Sequence, residues 1–292
     1  MSSSDVNITS MRHLLPELKS GLQSFTSSPD KFRLLRTVPT SPTISPAPKT
    51  LYVLDSSYNP PTKAHLQIAT SALLHDRGAS PKRLLLLLAT QNADKAPKPA
   101  PFEHRLVMMT IFAEDLRAHL AQQVRLEEGE AVAVDVGVTT EPYFHDKAAA
   151  IDESKIYDPP PEQVYLTGFD TLIRLLNPKY YPPEHTLAPL EPFLRRHRVR
   201  VTYRTGADWG EREVQGRYLR DLKEGRREHE GGKREWADRF ELVEGRADGE
   251  EVVSSTRVRD AIKKGDKEAL RGLVTEGVGE WIMQEKSYTE AE

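Results

Sequence analysis

Apolar residues in this chain gather in short runs, separated by longer segments in which they recur every three or four positions. Leu51 to Leu54 is one such run, Arg83 to Ala89 contains LLLLL, and Ala131 to Val136 reads AVAVDV. Val164 to Thr167, ending at Gly168, and Val199 to Tyr203 follow, with a weaker run from Phe240 to Val243. Short apolar runs bounded by turn residues predict strands buried on both faces. Between them, Phe102–Leu120, Asp170–Leu176 and Ala188–Arg196 carry helical spacing. Strands that alternate with helices predict an α/β fold, a Rossmann-like doubly wound parallel sheet with helices on both faces and right-handed crossovers. Ligands of such sheets bind outside the carboxyl ends of the strands, near the reversal of strand order.

The flanks differ in pattern. Met11 to Phe25 places Leu14, Leu15, Leu18 and Leu22 on one side of a short amphipathic helix, with Pro16 in the first turn, where it is tolerated. Phe32, Leu34 and Leu35 extend that contact with the main body. Residues 1–36 thus read as a helical extension and 37–50, rich in Pro, Ser and Thr, as a linker or strap. The α/β domain is expected over 51–286, with a tail at 287–292. Within it, Gly206 to Asp238 is dense in Arg, Glu, Lys and Gly. Such a run reads as a solvated insertion, partly helical or disordered, the alternative being a basic lid over bound phosphates.

Composition narrows the picture. The 292 residues include no cysteine, which excludes disulfides and thiolate metal sites. The formal charge of −3 is spread over interspersed acids and bases and does not point to nucleic acid. No apolar run reaches membrane-spanning length, and the first twenty residues lack the apolar core of a signal peptide. A cytosolic or nuclear protein is expected, with an oligomer allowed.

Three stretches carry chemistry. The first is LYVLDSSYNPPTKAHLQIATSALL, from Leu51: a strand, a turn of Ser, Asn and Pro, then a helix with Leu66, Ala69, Leu73 and Leu74 in register. Strand, tight turn and helix aim the free N–H groups of a helix start at an anion, and Thr62 and His65 share the first turn. The second is VVSSTRVRDAIKKGD, from Val252. Ser254, Ser255 and Thr256 there suit helix capping and phosphate binding alike. Arg257 and Arg259 oppose the helix dipole, a conflict that a bound polyanion relieves. The third is YLTGFDTLIRLLNPKYY, from Tyr165. Gly168 permits close backbone approach, and Asp170 either accepts from ribose hydroxyls or caps the next helix.

Together and in this order, the three stretches resemble the [HT]-x-G-H nucleotidylyltransferase superfamily, and within it the eukaryotic and fungal nicotinamide-mononucleotide adenylyltransferases. The family's G-S-F-N-P-x-T-x-x-H is matched by Ser56, Ser57, Tyr58, Asn59, Pro60, Pro61, Thr62, Lys63, Ala64 and His65. Its I-S-S-T-x-x-R is matched by Val253 through Arg259, and its G-x-D by Gly168, Phe169 and Asp170. Ser56 and Ala64 stand where the family has glycine, and the side chain of Ser56 narrows the approach of a phosphate.

The resemblance implies that ATP and nicotinamide mononucleotide give NAD and pyrophosphate by in-line attack of the mononucleotide phosphate on the α-phosphorus. His65 and Thr62 would then be catalytic. ATP would be held by Ser56, Ser57, Tyr58, Asn59, Gly168, Asp170, Ser254, Ser255, Thr256 and Arg259, with Lys95 or Lys98 reaching a phosphate. The mononucleotide would lie against Tyr143, Phe144 or Tyr181. Mg²⁺ would bridge phosphates through mostly water ligands, with no protein carboxylate cage. The rivals are an adenylyl- or cytidylyltransferase of the same fold with another phosphorylated acceptor, and a non-catalytic nucleotide-binding regulatory protein.

Overall fold

The computed structural model describes residues 11–40, 47–91, 100–123, 132–204, 212–245, 253–286 and 288. Seven strands form one sheet: β1 (Phe32–Val38), β2 (Thr50–Asp55), β3 (Lys82–Ala89), β4 (Ala133–Thr139), β5 (Glu162–Gly168), β6 (Arg198–Thr202) and β7 (Phe240–Val243). Their order across the sheet is β1-β4-β3-β2-β5-β6-β7. β1 runs antiparallel to β4, and every other pair is parallel. From β2 the chain steps outward through β3 to β4, then returns to β2's other side and continues through β5, β6 and β7. The reversal lies between β2 and β5, whose carboxyl ends border the crevice where such sheets hold ligands.

The described helices are α1 (Leu14–Thr26), α2 (Lys63–His75), α3 (Phe102–Gln123), α4 (Phe144–Glu153), α5 (Phe169–Leu175), α6 (Glu191–Arg196), α7 (Arg212–Lys223), α8 (Ser255–Lys264), α9 (Lys267–Leu273) and α10 (Glu276–Glu285). The five leucines of β3 show why a continuous apolar run makes a strand here. Leu84, Leu86 and Leu88 enter one core with Tyr52, Leu54 and Val136, beneath α1, α2, α3, α8, α9 and α10. Leu85 and Leu87 enter the other with Leu51, Val53, Tyr165 and Val199, beneath α4, α5 and α6. Alternation with a period of two sends successive side chains to opposite faces, and both faces are covered.

The structure departs from expectation in identifiable places. The amphipathic helix forms as α1, but the following residues add a strand, β1, which runs into the expected linker and ends at Val38. β4 begins at Ala133 and continues through Gly137. A Cβ at Gly137 would lie 2.9 Å from the Phe32 ring and 3.0 Å from Leu85, so the glycine lets β1 close over the sheet. The helices α4, α9 and α10 lie outside the segments that the apolar spacing singles out. The described part of the charged segment, 212–238, is partly helical with most of its charged side chains exposed, but it also sends Leu222, Gln215 and Trp236 into the interior. Trp236 joins the second core and donates to Glu191 Oε2 at 3.0 Å.

Candidate active site

Thr62 is the N-cap of α2, and His65 is the third residue of that helix. The backbone N–H of Thr62 donates to His65 Nδ1 at 3.0 Å, while the Thr62 hydroxyl lies 2.9 Å from the same nitrogen. This is a capping box with an imidazole in place of the usual Glu or Gln. Burial, and after it the charge of Arg204, push His65 down to about 4, so the ring is neutral at pH 7. A neutral imidazole whose Nδ1 accepts carries its proton on Nε2. That nitrogen lies 2.9 Å from Ser56 Oγ.

The turn before Thr62 is held from several sides. Tyr58 sits at φ 44, in the left-handed region that a non-glycine residue enters only when held there. Its buried ring supplies the hold: the hydroxyl donates to Leu54 O at 2.5 Å, and the ring lies 5.3 Å from that of His65. Asn59 is buried and Ser57 is exposed. Tyr58 thus backs His65 with its side chain.

α8 closes over this turn. Ser254 caps the helix, its side chain accepting from Arg257 N at 3.3 Å. Ser255 Oγ donates to Pro60 O at 2.9 Å, and Arg259 Nη1 donates to Asn59 O at 2.9 Å. Arg259 Nη2 also donates to Thr256 Oγ1 at 3.0 Å. Ser254 thus does the capping, while Ser255, Thr256 and Arg259 are engaged in bonds to the first motif and to each other. The first and last motifs, 195 residues apart at Pro60 and Ser255, meet through these bonds.

Across the crevice, Gly168 caps α5 and Asp170 lies in its first turn. Arg204, two residues past β6, reaches Asp170 Oδ1 with Nε at 2.9 Å and Nη2 at 2.8 Å. A Cβ at Gly168 would lie 2.7 Å from that carboxylate oxygen and 3.0 Å from Arg204 Nε, so glycine makes room for the ion pair. Arg204 is a candidate site residue that sequence reasoning missed. The available signal was a lone cation just beyond a strand's carboxyl end.

Of the three aromatic candidates, two meet. Tyr143 and Tyr181 have ring centroids 6.1 Å apart, and His145 lies 5.8 Å from Tyr143 and 5.6 Å from Tyr181. Tyr181 is buried, its hydroxyl donating to Leu175 O at 2.6 Å, while Tyr143 is more open. Phe144 turns into the core behind them, 4.7 Å from Tyr165. Burial holds His145 below the ordinary imidazole range against the opposing charges of Asp146 and Glu141. Lys95 and Lys98 lie outside the described residues.

A protein of Schizosaccharomyces pombe, named provisionally as a nicotinamide mononucleotide adenylyltransferase, is 33% identical over 257 residues, covering 88% of this chain and 91% of the relative. The chain belongs to the nicotinamide mononucleotide adenylyltransferase family. No family model matches the chain. Among solved structures, the nicotinic acid mononucleotide adenylyltransferase of Plasmodium falciparum complexed with NaAD aligns with TM-score 0.49 at 12% identity, over 83% of this chain and 98% of that one. A Vibrio parahaemolyticus protein, named provisionally as a nicotinate-nucleotide adenylyltransferase, aligns with TM-score 0.47 at 15% identity, over 83% and 97%.

Proposed function

We propose that this chain transfers the adenylyl group of ATP to nicotinamide or nicotinate mononucleotide, forming the dinucleotide and pyrophosphate. Family membership and the site support the reading. The observation that carries it is the neutral imidazole of His65, held as an Nε2–H donor at a helix start, on the crevice where strand order reverses.

In-line attack of one phosphate on another gathers charge on the non-bridging oxygens of the transferring phosphorus and needs no covalent enzyme intermediate. Catalysis then rests on positioning and on fixed donors. In this reading the backbone donors of α2 serve the α-phosphate, and the His65 ring, its Nε2–H on Ser56 Oγ, stands beside it. Ser255, Thr256 and Arg259 at the start of α8 hold the β- and γ-phosphates, where an Arg fork suits two oxygens at once. Asp170 takes the ribose, and Tyr143 with Tyr181 flanks the pyridine ring. Mg²⁺ would come with ATP as its complex, offsetting phosphate charge.

Acceptance of both mononucleotides belongs to the same proposal. Nicotinamide and nicotinate differ by one charge, and the ring cluster of Tyr143, His145 and Tyr181 offers stacking with no fixed charge of its own. The test is incubation with ATP, Mg²⁺ and each mononucleotide, followed by chromatography. Formation of both dinucleotides is expected. Product from another phosphorylated acceptor alone would favour a different transferase, and nucleotide binding without turnover would favour a regulatory protein.

A further inference from the structure

Ser56 and His65 share one hydrogen bond, and Thr62 sets its direction. The Thr62 N–H is only a donor, so Nδ1 accepts it at 3.0 Å, and the neutral ring keeps its proton on Nε2. At 2.9 Å, Nε2–H therefore donates and Ser56 Oγ accepts. A hydroxyl that accepts in this way keeps its own proton to give. Among the described residues no second bond engages it, and the backbone N–H of Ser56 is already tied to Leu87 O at 3.2 Å. The side chain is half-buried at the carboxyl end of β2, one residue past the strand, on the reversal crevice.

We propose that Ser56 is a catalytic residue of the adenylyl transfer, its O–H donating to a non-bridging oxygen of the transferring phosphorus while His65 Nε2–H holds its Oγ. The inference rests on the functional reading above. No proton changes hands. The P–O bond to the acceptor phosphate forms as the P–O bond to pyrophosphate breaks, and Ser56 and His65 both keep their hydrogens. The bond from His65 draws electron density from Oγ and strengthens Ser56 as a donor, as linked hydrogen bonds do. The arrangement adds a neutral donor that is fixed before ATP arrives, the kind of preorganised dipole that favours a transition state over a ground state. The space that the serine takes from the phosphate is thereby returned as a hydrogen bond.

The test uses the full chain with Ser56→Ala and Ser56→Thr, assayed with MgATP and nicotinamide mononucleotide. It is accompanied by ¹⁵N spectra of the imidazole and by thermal unfolding. Ser56→Ala should lower kcat by roughly 10- to 100-fold, toward the range for loss of one donor to a developing oxyanion. KM for ATP should stay within about threefold, since the interaction strengthens only as charge develops. Ser56→Thr keeps the hydroxyl on Cβ and should recover most of the rate. The His65 spectrum should show the Nε2-protonated ring in every variant, because Thr62 sets it.

An unchanged or raised kcat in folded Ser56→Ala overturns the proposal. So does a loss of rate accompanied by a switched His65 tautomer, which would make Ser56 a support for the ring and not a donor to phosphate. Wild-type protein that forms no dinucleotide from either mononucleotide overturns the functional reading and this inference with it. Wild-type turnover with an indifferent Ser56→Ala overturns this inference alone.

Discussion

Lys147 Nζ, on α4, lies 2.5 Å from Asp55 Oδ2 at the end of β2, with only 4% and 14% of the two side chains exposed. The pair joins the two halves of the crevice. Asp55 precedes Ser56 and the turn before α2, while Lys147 sits one turn beyond Tyr143 and two residues past His145. Lys147→Met should leave a buried carboxylate without its partner and cost about 3–5 kcal/mol. The double variant Asp55→Asn/Lys147→Met should recover much of that loss. Urea unfolding of the single and double variants measures both, and equal midpoints for wild type and Lys147→Met would refute the coupling.

Arg204 acts on two site residues. Removing its charge should raise the His65 pKa, although burial, the larger cause, keeps it below the ordinary value. If Asp170 takes the ribose as proposed, it should do so less well when freed from Arg204, but an exposed pair is worth roughly 1 kcal/mol or less, so Arg204→Ala should raise KM for ATP by no more than about fivefold. Gly168→Ala should be worse, because its Cβ would lie 2.7 Å from Asp170 Oδ1 and displace the pair. Imidazole titration by NMR and ATP kinetics together test this.

Arg259 binds the backbone of the first motif, so its loss should be felt with and without ligand. Arg259→Ala should lower the unfolding temperature slightly and weaken ATP and pyrophosphate together. Arg259→Lys should restore charge but not the forked contacts to Asn59 O and Thr256 Oγ1. Product-inhibition constants for pyrophosphate in the three proteins decide the point, and unchanged binding in Arg259→Ala would leave α8 a purely structural cap.

The charged segment should prove structural. Leu222 is 1% exposed and Trp236 is 2% exposed. Leu222→Ala should cost about 2–5 kcal/mol. Replacing 212–232 with a Gly/Ser linker should abolish cooperative unfolding or shift it far down. A fully stable replacement would return the segment to the status of a solvated insertion.

Stability should fall in mild acid. His65 and His197, both pushed down to about 4 chiefly by burial, bind protons more readily when unfolded. The unfolded state therefore takes up more protons between pH ~6.5 and ~4, and stability declines as pH falls through that window. For Asp76, burial alone would raise the pKa, but bonds from Arg198 and Tyr52 outweigh it and hold the carboxyl well below its usual value. Its contribution is lost only at lower pH still, below the unfolded carboxylate value. Unfolding temperatures from pH 8 to pH 3 should be flat above neutrality and then decline in these two stages. On the same reasoning, kcat should show no inflection from His65 between pH ~5 and ~8.

Local pattern determined much of this protein. The runs at Leu51, Arg83, Val164, Val199 and Phe240 became strands because a buried parallel strand must be apolar on both faces, and that requirement is written into consecutive residues. Thr62, His65, Ser254 and Asp170 were legible for a similar reason: helix starts declare themselves within a few positions. The tertiary structure decided what depends on contacts between distant residues. Nothing near Phe32 announces that it becomes part of an antiparallel edge strand, because its partner on β4, Thr139, lies far along the chain. Leu222 and Trp236 look solvated among their charged neighbours until the second core receives them. Arg204 and Lys147 are ordinary cations in one dimension, and only folding brings each to a carboxylate at the crevice. The sequence likewise places a serine before the turn, but the fixed tautomer of His65, and hence which of the two groups donates, exists only once the helix start closes on itself.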